Sequence, residues 1–323
     1  MSQSSVSEAH TPTTTRIHTL GERQVQDEER STLAIFWRRF SAHRMATVGL
    51  LMMSAIVLYI LIGSFLFTEE YANDLNLRHK WEAPSAEHPF GTDEVGRDVM
   101  ARTIYGGQIS LAISVLSVAV TTITGTALGL IAGYYGGWLD NIIMRVAEAL
   151  LSIPLLFLLL VLSKFIGTQM PEVNVLGREI SGSVVVIILV LGFTTWMGLA
   201  RIVRSLVLSL KEREFVIAAR AIGMSNARLV FRHILPNAMA PVIVATTLGI
   251  SQVILIEANV SFLGLGVQPP TASWGNMIQR AMERIDTAQW LWFFPGALIL
   301  LSVLSANFIG DGLRDALDPY SIK

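Results

Sequence analysis

The sequence reads as an all-α membrane protein with six transmembrane helices, and three observations carry that reading. First, 52% of the 323 residues are hydrophobic and only 15% charged, whereas a soluble domain carries about 25% charged residues. Mean hydropathy is +0.53. Second, five stretches without Asp, Glu, Lys or Arg, at 45–68, 109–133, 180–200, 234–256 and 287–310, reach the ~20 residues needed to cross a bilayer. Third, these runs are apolar on every side and lack the period-two alternation of a membrane β-barrel. The net charge of −1 sets up no field for nucleic acid, and no cysteine is present for disulfides, thiolate metal sites or nucleophilic catalysis.

Residues 1–30 are polar and rich in Ser and Thr, with no apolar core of a cleavable signal peptide. They read as a disordered cytoplasmic tail. Segment 31–44, STLAIFWRRFSAHR, mixes aromatic and basic residues in the manner of an interfacial amphipathic anchor. The first span follows at 45–68, and 69–108 is an extracytoplasmic segment with eight acids. The second span is 109–133. A third is expected at 149–163, extended by 141–148 as its first two turns, with Arg145 and Glu148 paired on one face. Spans four to six are 180–200, 234–256 and 287–310.

Orientation follows the positive residues. Arg201, Arg204, Lys211, Arg213, Arg220, Arg228 and Arg232 crowd between spans four and five, and Arg30, Arg38, Arg39 and Arg44 precede span one. Both regions are expected in the cytoplasm, and an even span count places both termini there.

Segment 212–237, EREFVIAARAIGMSNARLVFRHILPN, is too patterned for a plain loop. Phe215, Ala218, Ala219 and Ile222 have helical spacing. Gly223 suits the C′ position of that helix, Ser225 can cap the next one, and Pro236 is expected to stop it before span five. Two short helices with a small apolar knob either pack beneath their own bundle or insert into a partner's groove. The residues alone leave both readings open.

This segment resembles the signature of permease subunits of binding-protein-dependent ABC importers. Ala218, Ala219, Gly223, Leu235 and Pro236 stand at that pattern's spacing, while Ile217 replaces its glutamate and His233 an apolar residue. The longer match, through Phe215, Val216, Arg220, Ser225 and 233–237 (HILPN), resembles the peptide and nickel branch. Segments 88–111 (HPFGTDEVGRDVMARTIYGGQISL), 261–274 (SFLGLGVQPPTASW) and 310–319 (GDGLRDALDP) resemble the C-type permease of dipeptide and oligopeptide systems. The resemblance spans about residues 31–320, with 109–320 as the permease core (spans two to six, coupling segment 212–237).

The resemblance implies a transmembrane subunit of an ATP-driven importer of di- or oligopeptides. It also implies a second, B-type permease, two cytoplasmic ATPases and an extracytoplasmic solute-binding protein. The chain has no G-x-x-x-x-G-K-[ST] loop, so it is expected to be no enzyme and to bind no cofactor, with ATP and Mg on the partner ATPases. Phe215, Ala218, Ala219, Ile222 and Gly223 would form the ATPase contact, with Arg220 and Arg228 at its rim and Pro236 closing the segment. Alternatives are the same architecture carrying nickel, glutathione or another small solute, and a secondary transporter working without ATP. Against the latter stand the absence of inverted halves and of an intramembrane acid–base chain. A membrane-embedded enzyme would need clustered His, Asp, Glu or Ser groups, and none is apparent.

Ionisable groups near span ends are candidates because burying them is costly. Glu257 with Asn259, at the expected outer end of span five, either lines the pathway or sits at the interface. Asp311, Arg314 and Asp315 are expected to bond locally or to neighbouring helices. Segment 69–108, with Asp93, Glu94 and Asp98, either docks a receptor or packs on itself. His79 and His88, nine residues apart, match no metal-ligand spacing, so no metal is expected. His233 reads as a hydrogen-bonded helix-end residue.

Overall fold

A computed structural model describes residues 32–162, 165, 171, 173–175 and 178–318. The expected tail 1–30, the end of the third span at Ser163 and the terminal 319–323 lie outside the described residues. Among the described residues the chain is helical apart from one small hairpin. Helix α1 (Thr32–Ala42) precedes α2 (Arg44–Leu66), and a short α3 (Glu69–Asn73) opens the segment expected to be extracytoplasmic, the outer segment. The long α4 (Val99–Tyr135) leads to α5 (Gly137–Leu151) and α6 (Leu155–Leu162). Strands β1 (Val173–Val175) and β2 (Arg178–Ile180) pair antiparallel, Asn174 opposite Glu179. Then come α7 (Gly182–Leu210), α8 (Glu214–Ala221), α9 (Asn226–Leu229), α10 (Leu235–Phe262), α11 (Trp274–Ala281) and α12 (Trp290–Leu317).

Among the described residues, five helical runs are long and apolar enough to cross a membrane: α2, α4, α7, the 37-residue run Asn226–Phe262 and α12. The third span is a correction. It is no single helix but two, α5 and α6, interrupted at Ser152–Pro154. Pro154 has no N–H to donate into the preceding turn, so α5 ends at Leu151 and α6 starts afresh.

Facing residues give each helix its direction. Val120 and Ser117 of α4 lie against Gly192 of α7, Gly125 against Trp196 and Leu199, Gly129 against Ala200 and Val203, and Gly133 against Arg204 and Val207. Both sets rise together, so α4 and α7 are parallel. Two parallel spanning helices joined in sequence require the intervening chain to recross, and α5 with α6 lies in that interval. By contrast α2 runs against α4, with Gly107 on Ile60 and Gly63 on Ile104. Helix α10 runs against α4 through Thr122–Thr246 and Ser110–Glu257, and α12 against α2 and α10 through Gly312–Ala46 and Gly310–Leu248. The start of α2, the 211–234 segment and the end of α12 therefore share one side of the bundle, and 69–98 and 263–289 share the other.

The α4–α7 seam is close because Gly125, Gly129 and Gly133 recur every fourth residue. A Cβ at Gly129 would stand 2.7 Å from the Ala200 carbonyl oxygen. Small residues at this spacing let lipid-embedded helices approach until their backbones touch.

Helix α4 starts ten residues before its apolar stretch. At ~1.5 Å per residue its 37 residues reach about 55 Å, well beyond the hydrocarbon core. Asp98 caps it, accepting from Ala101 N at 2.7 Å. Its projecting end is embraced by the outer segment and by α11, whose Ser273 and Asn276 form a capping box. Trp274, fully buried, donates its indole N–H to Thr103 O at 2.9 Å. On the opposite side α1 folds over the ends of α2 and α12, burying Phe40 against Ala46 and Ala316. His43 caps α2 by accepting from Ala46 N and approaches Asp315 at 3.6 Å, a contact between neighbouring helices.

Candidate functional site

Two features bear on function: a cavity within the bundle and a knob at its base. The cavity, about 370 Å³, lies between α4, α7 and α10. Its polar lining is Thr121 and Thr122 on α4, Thr195 on α7, and Thr246 and Gln252 on α10, amid aliphatic residues such as Val118, Leu199, Ile202 and Leu248. No charged side chain lines it. Thr121 and Thr195 share a hydrogen bond at 2.6 Å, and Thr122 and Thr246 share one at 2.9 Å. These hydroxyls fall near the midpoints of their helices, at the depth where transport folds hold their solutes. Sequence reasoning named no pathway residue here. Threonines inside apolar runs were visible, but which of them converge depends on helix rotation.

The knob is built from α8 and α9. The cap of α8 closes as its spacing suggests: Ile222 N–H reaches Ala218 O, and Gly223 at φ 81° donates to Arg220 O at 3.0 Å. Glycine occupies that left-handed position without the steric cost of a Cβ. Ser225 sits at the N-cap of α9 but makes no side-chain cap bond. Pro236 is a correction. It does not stop a helix, because a π turn (Val230–Ile234) carries α9 into α10, where Pro236 occupies the first turn. A first-turn residue needs no N–H donor. The knob is thus not two separate helices but α8 set against α9 as the lower end of the 37-residue run.

Its two faces differ. Val216, Ala219, Leu229 and Ile234 are buried against Leu130, Leu199, Val203, Val207 and Val242. Ala219 therefore packs into the chain's own base and not onto the outer face expected for it. The outer face presents Phe215, Ala218, Ile222 and Gly223, all exposed, with Ile222 82% exposed. Ile217 and Phe231 add to the apolar surface, and Arg220, Arg228 and Pro236 are exposed around it. Tyr134 of α4 donates to Asn226 Oδ1 at 2.7 Å, and Arg204 of α7 grips Asp140 of α5 through two bonds of 2.5 and 2.6 Å. The helices that carry the knob are those that line the cavity.

Glu257 does not line that cavity. It is 1% exposed and accepts from Ser110 Oγ at 3.0 Å and Ser261 Oγ at 2.7 Å, joining α4 to α10. This corrects the pathway expectation for Glu257: the partner that encloses it is 147 residues away in sequence. Asn259 is exposed on the outer half of α10. Arg145 and Glu148 form the expected pair, 3.6 Å apart and exposed. His233 departs from expectation, its Nε2 being buried with no hydrogen-bond partner.

Segment 69–98 is largely packed on itself. Arg97 bonds Asp93 at 2.6 Å and Glu94 at 3.1 Å, Glu94 accepts from Arg280 at 2.6 Å, and Arg102 bonds Asn73 at 3.0 Å. Asp93 and Asp98 are therefore consumed in buried contacts. The outer segment also gathers three groups whose spacing had suggested no metal: His79, Glu82 and His88 offer ligand atoms within 4.8 Å of one another.

Comparison with known proteins agrees with this architecture. Residues 125–322 match the family described as binding-protein-dependent transport system inner membrane component, and residues 31–84 match the N-terminal transmembrane domain of oligopeptide transport permease C. The dipeptide transport system permease protein DppC of Alkalihalophilus pseudofirmus is 40% identical over 90% of this chain and 92% of its own. A putative peptide permease of Brucella suis is 43% identical over 87% of this chain and 89% of its own. The oligopeptide transport system permease protein OppC of Bacillus subtilis is 37% identical over 87% of both chains. Among solved structures, an inward-facing form of the MetNI methionine ABC transporter shares the fold, with a TM-score of 0.53 and 19% identity, covering 68% of this chain and 97% of that one. This chain belongs to the family of binding-protein-dependent transport system inner membrane components, as a multi-pass permease of the ABC importer type.

Proposed function

We propose that the chain forms one transmembrane half of an importer for di- or oligopeptides, driven by ATP hydrolysed on separate subunits. The carrying observation is an apolar knob rimmed by arginine, standing on the helices that line an uncharged cavity at mid-membrane depth. Exposed apolar surface beyond the lipid zone marks a protein partner, here a cleft in each cytoplasmic ATPase. Phe215, Ala218, Ile222 and Gly223 make the contact, and Arg220 and Arg228 supply its charged edge. Closure of the ATPase pair displaces the knob, and because Val216 and Leu229 are packed on α7 and α10, the cavity walls move with it. That is a two-state element biased by nucleotide.

A cavity of hydroxyls and aliphatic groups suits peptides of varied side chain, since it can hydrogen-bond a peptide group without demanding a charge. A path for bare metal ions would call for carboxylate or imidazole ligands. A homologous second permease closes the open side, a solute-binding protein delivers the peptide to the face bearing 69–98 and 263–289, and both termini are cytoplasmic. ATP and Mg stay on the ATPases, and this chain is no catalyst.

Ile222→Asp tests the coupling. The expected outcome is normal protein level in the membrane with loss of ATPase co-purification and of labelled tripeptide uptake. Gly223→Val, placing a β-branched residue at φ 81°, is expected to uncouple hydrolysis from uptake. Full complexes and unchanged uptake in both variants refute the contact.

A further inference from the structure

The outer segment between α2 and α4 holds a group of side chains that neither the cavity nor the knob uses. His79 ends a 3-10 turn (Leu77–His79) whose start is fixed by Asn76 Oδ1 accepting from Arg78 N. Buried Thr92 fastens this arm: its hydroxyl donates to His79 O and accepts from Glu82 N at 2.9 Å, and its own N–H donates to Glu82 O at 3.0 Å. His88 is held by a tight turn in which it donates to Ser85 Oγ and Ser85 N donates to His88 O. The backbone therefore delivers His79, Glu82 and His88 to one place, with one potential ligand atom from each within 4.8 Å of the other two.

The second observation is how His88 is oriented. Its Nδ1 lies 2.8 Å from Asp98 Oδ2, and the Asp98 side chain is 2% exposed. Asp98 cannot swing away, because Oδ1 caps α4. A buried carboxylate accepting from Nδ1–H leaves Nε2 with its lone pair free, the arrangement that orients ligating histidines in metal sites. His79 Nδ1 already sits 2.8 Å from Glu82 Oε1. Bond lengths of about 2.0–2.2 Å to zinc imply ligand–ligand edges of ~3.3 Å at a tetrahedral angle, so the His79–Glu82 edge must open by about half an ångström and the edges to His88, within 4.8 Å, must close by up to about 1.5 Å, a movement within reach of side-chain rotation.

We propose that His79, Glu82 and His88 bind a divalent first-row transition ion of the Zn2+ type, with Asp98 as the positioning partner of His88. Two imidazoles and one carboxylate form a ligand set for Zn2+, with solvent in the fourth position. The three donors are half-buried, so the ion reaches them from the aqueous side without crossing the bundle. Bound there, it ties the 77–82 arm to the 85–88 turn and, through Asp98, to the first turn of α4.

The test uses the full chain purified in detergent without a histidine tag, stripped of metal and titrated with Zn2+ against a chromophoric chelator. One saturable site is expected, weakened on the order of tenfold or more in His79→Gln and in Glu82→Gln. Both side chains are more than a third exposed, so these variants keep the fold. Co2+ in place of Zn2+ should give a ligand-field absorption that disappears in the double variant, and should quench the fluorescence of Trp81, which lies between two of the ligands in sequence. Absence of stoichiometric binding, or binding that persists unweakened in the double variant and so does not use His79 and Glu82, overturns the proposal.

Discussion

Substituting alanine for glycine at two positions of the cavity helices should shift stability in opposite directions. At Gly129 of α4 an added Cβ would lie 2.7 Å from Ala200 O, 2.7 Å from Val203 Cβ and 3.0 Å from Val203 Cγ1. Non-bonded carbons settle at about 3.5–4.0 Å, so α4 and α7 must part locally by up to an ångström. Overpacking of this kind costs about 1–3 kcal/mol, against a gain of ~0.5–1 kcal/mol for removing a mid-helix glycine. The net for Gly129→Ala is a loss of about 1–2 kcal/mol. At Gly198 of α7 a Cβ meets nothing within 4 Å, so Gly198→Ala keeps only the gain. Unfolding of the isolated chain by SDS titration, followed by tryptophan fluorescence, should separate the two variants by the overpacking cost, about 1–3 kcal/mol. If both move in the same direction, or Gly129→Ala stays within about half a kcal/mol of the parent, close approach at this seam is not what the glycines serve.

Glu257→Leu should be less stable than Glu257→Gln by about 1–3 kcal/mol in the same assay, because it leaves the buried Ser110 and Ser261 hydroxyls without their acceptor. Equal stability would mean those bonds contribute nothing to the α4–α10 contact. The chain contains no cysteine, so single cysteines report sidedness without background. Glu87→Cys, exposed in the outer segment, should react with an impermeant maleimide on intact cells, and Glu212→Cys, exposed beside the knob, only after permeabilisation. Labelling of both from the same side refutes the helix directions.

What could be read from sequence was whatever depends on neighbours along the chain. Length and hydropathy place α2, α4, α7, α10 and α12, and glycine at C′ marks the end of α8, because both are local physics. Proline shows where locality ends. Pro154 separates two helices, Pro236 sits in the first turn of one, and Pro241 and Pro295 lie inside α10 and α12. The same missing N–H is fatal or harmless according to whether the preceding carbonyls find other partners, which only the packed bundle decides. Glu257 was misplaced for a related reason: its environment is set by Ser110 on another helix. His79, Glu82 and His88 meet because Thr92 fastens the backbone of the first two while the Ser85 turn and Asp98 hold the third, so their spacing carried no motif.

The number of crossings shows how packing completes what hydropathy leaves open. Apolar length alone supports five spans among the described residues, and five would put the ends of α2 and α12 in conflict with the directions of the contacts between them. Gly125, Gly129 and Gly133 settle the matter by facing Leu199, Val203 and Val207 in the same order, which only parallel helices permit. A chain that descends in α4 and descends again in α7 has to rise between them, and α5 with α6 provides 15 and 8 helical residues for it. At ~1.5 Å per residue that is about 35 Å, enough for the hydrocarbon core even with the interruption at Pro154. The parallel pair also explains the joint placement of cavity and knob. Because α4 and α7 end on the same side, Leu130 and Val207 both reach the base where Val216 and Leu229 are buried, and a push on the outer face of α8 bears on two cavity walls at once.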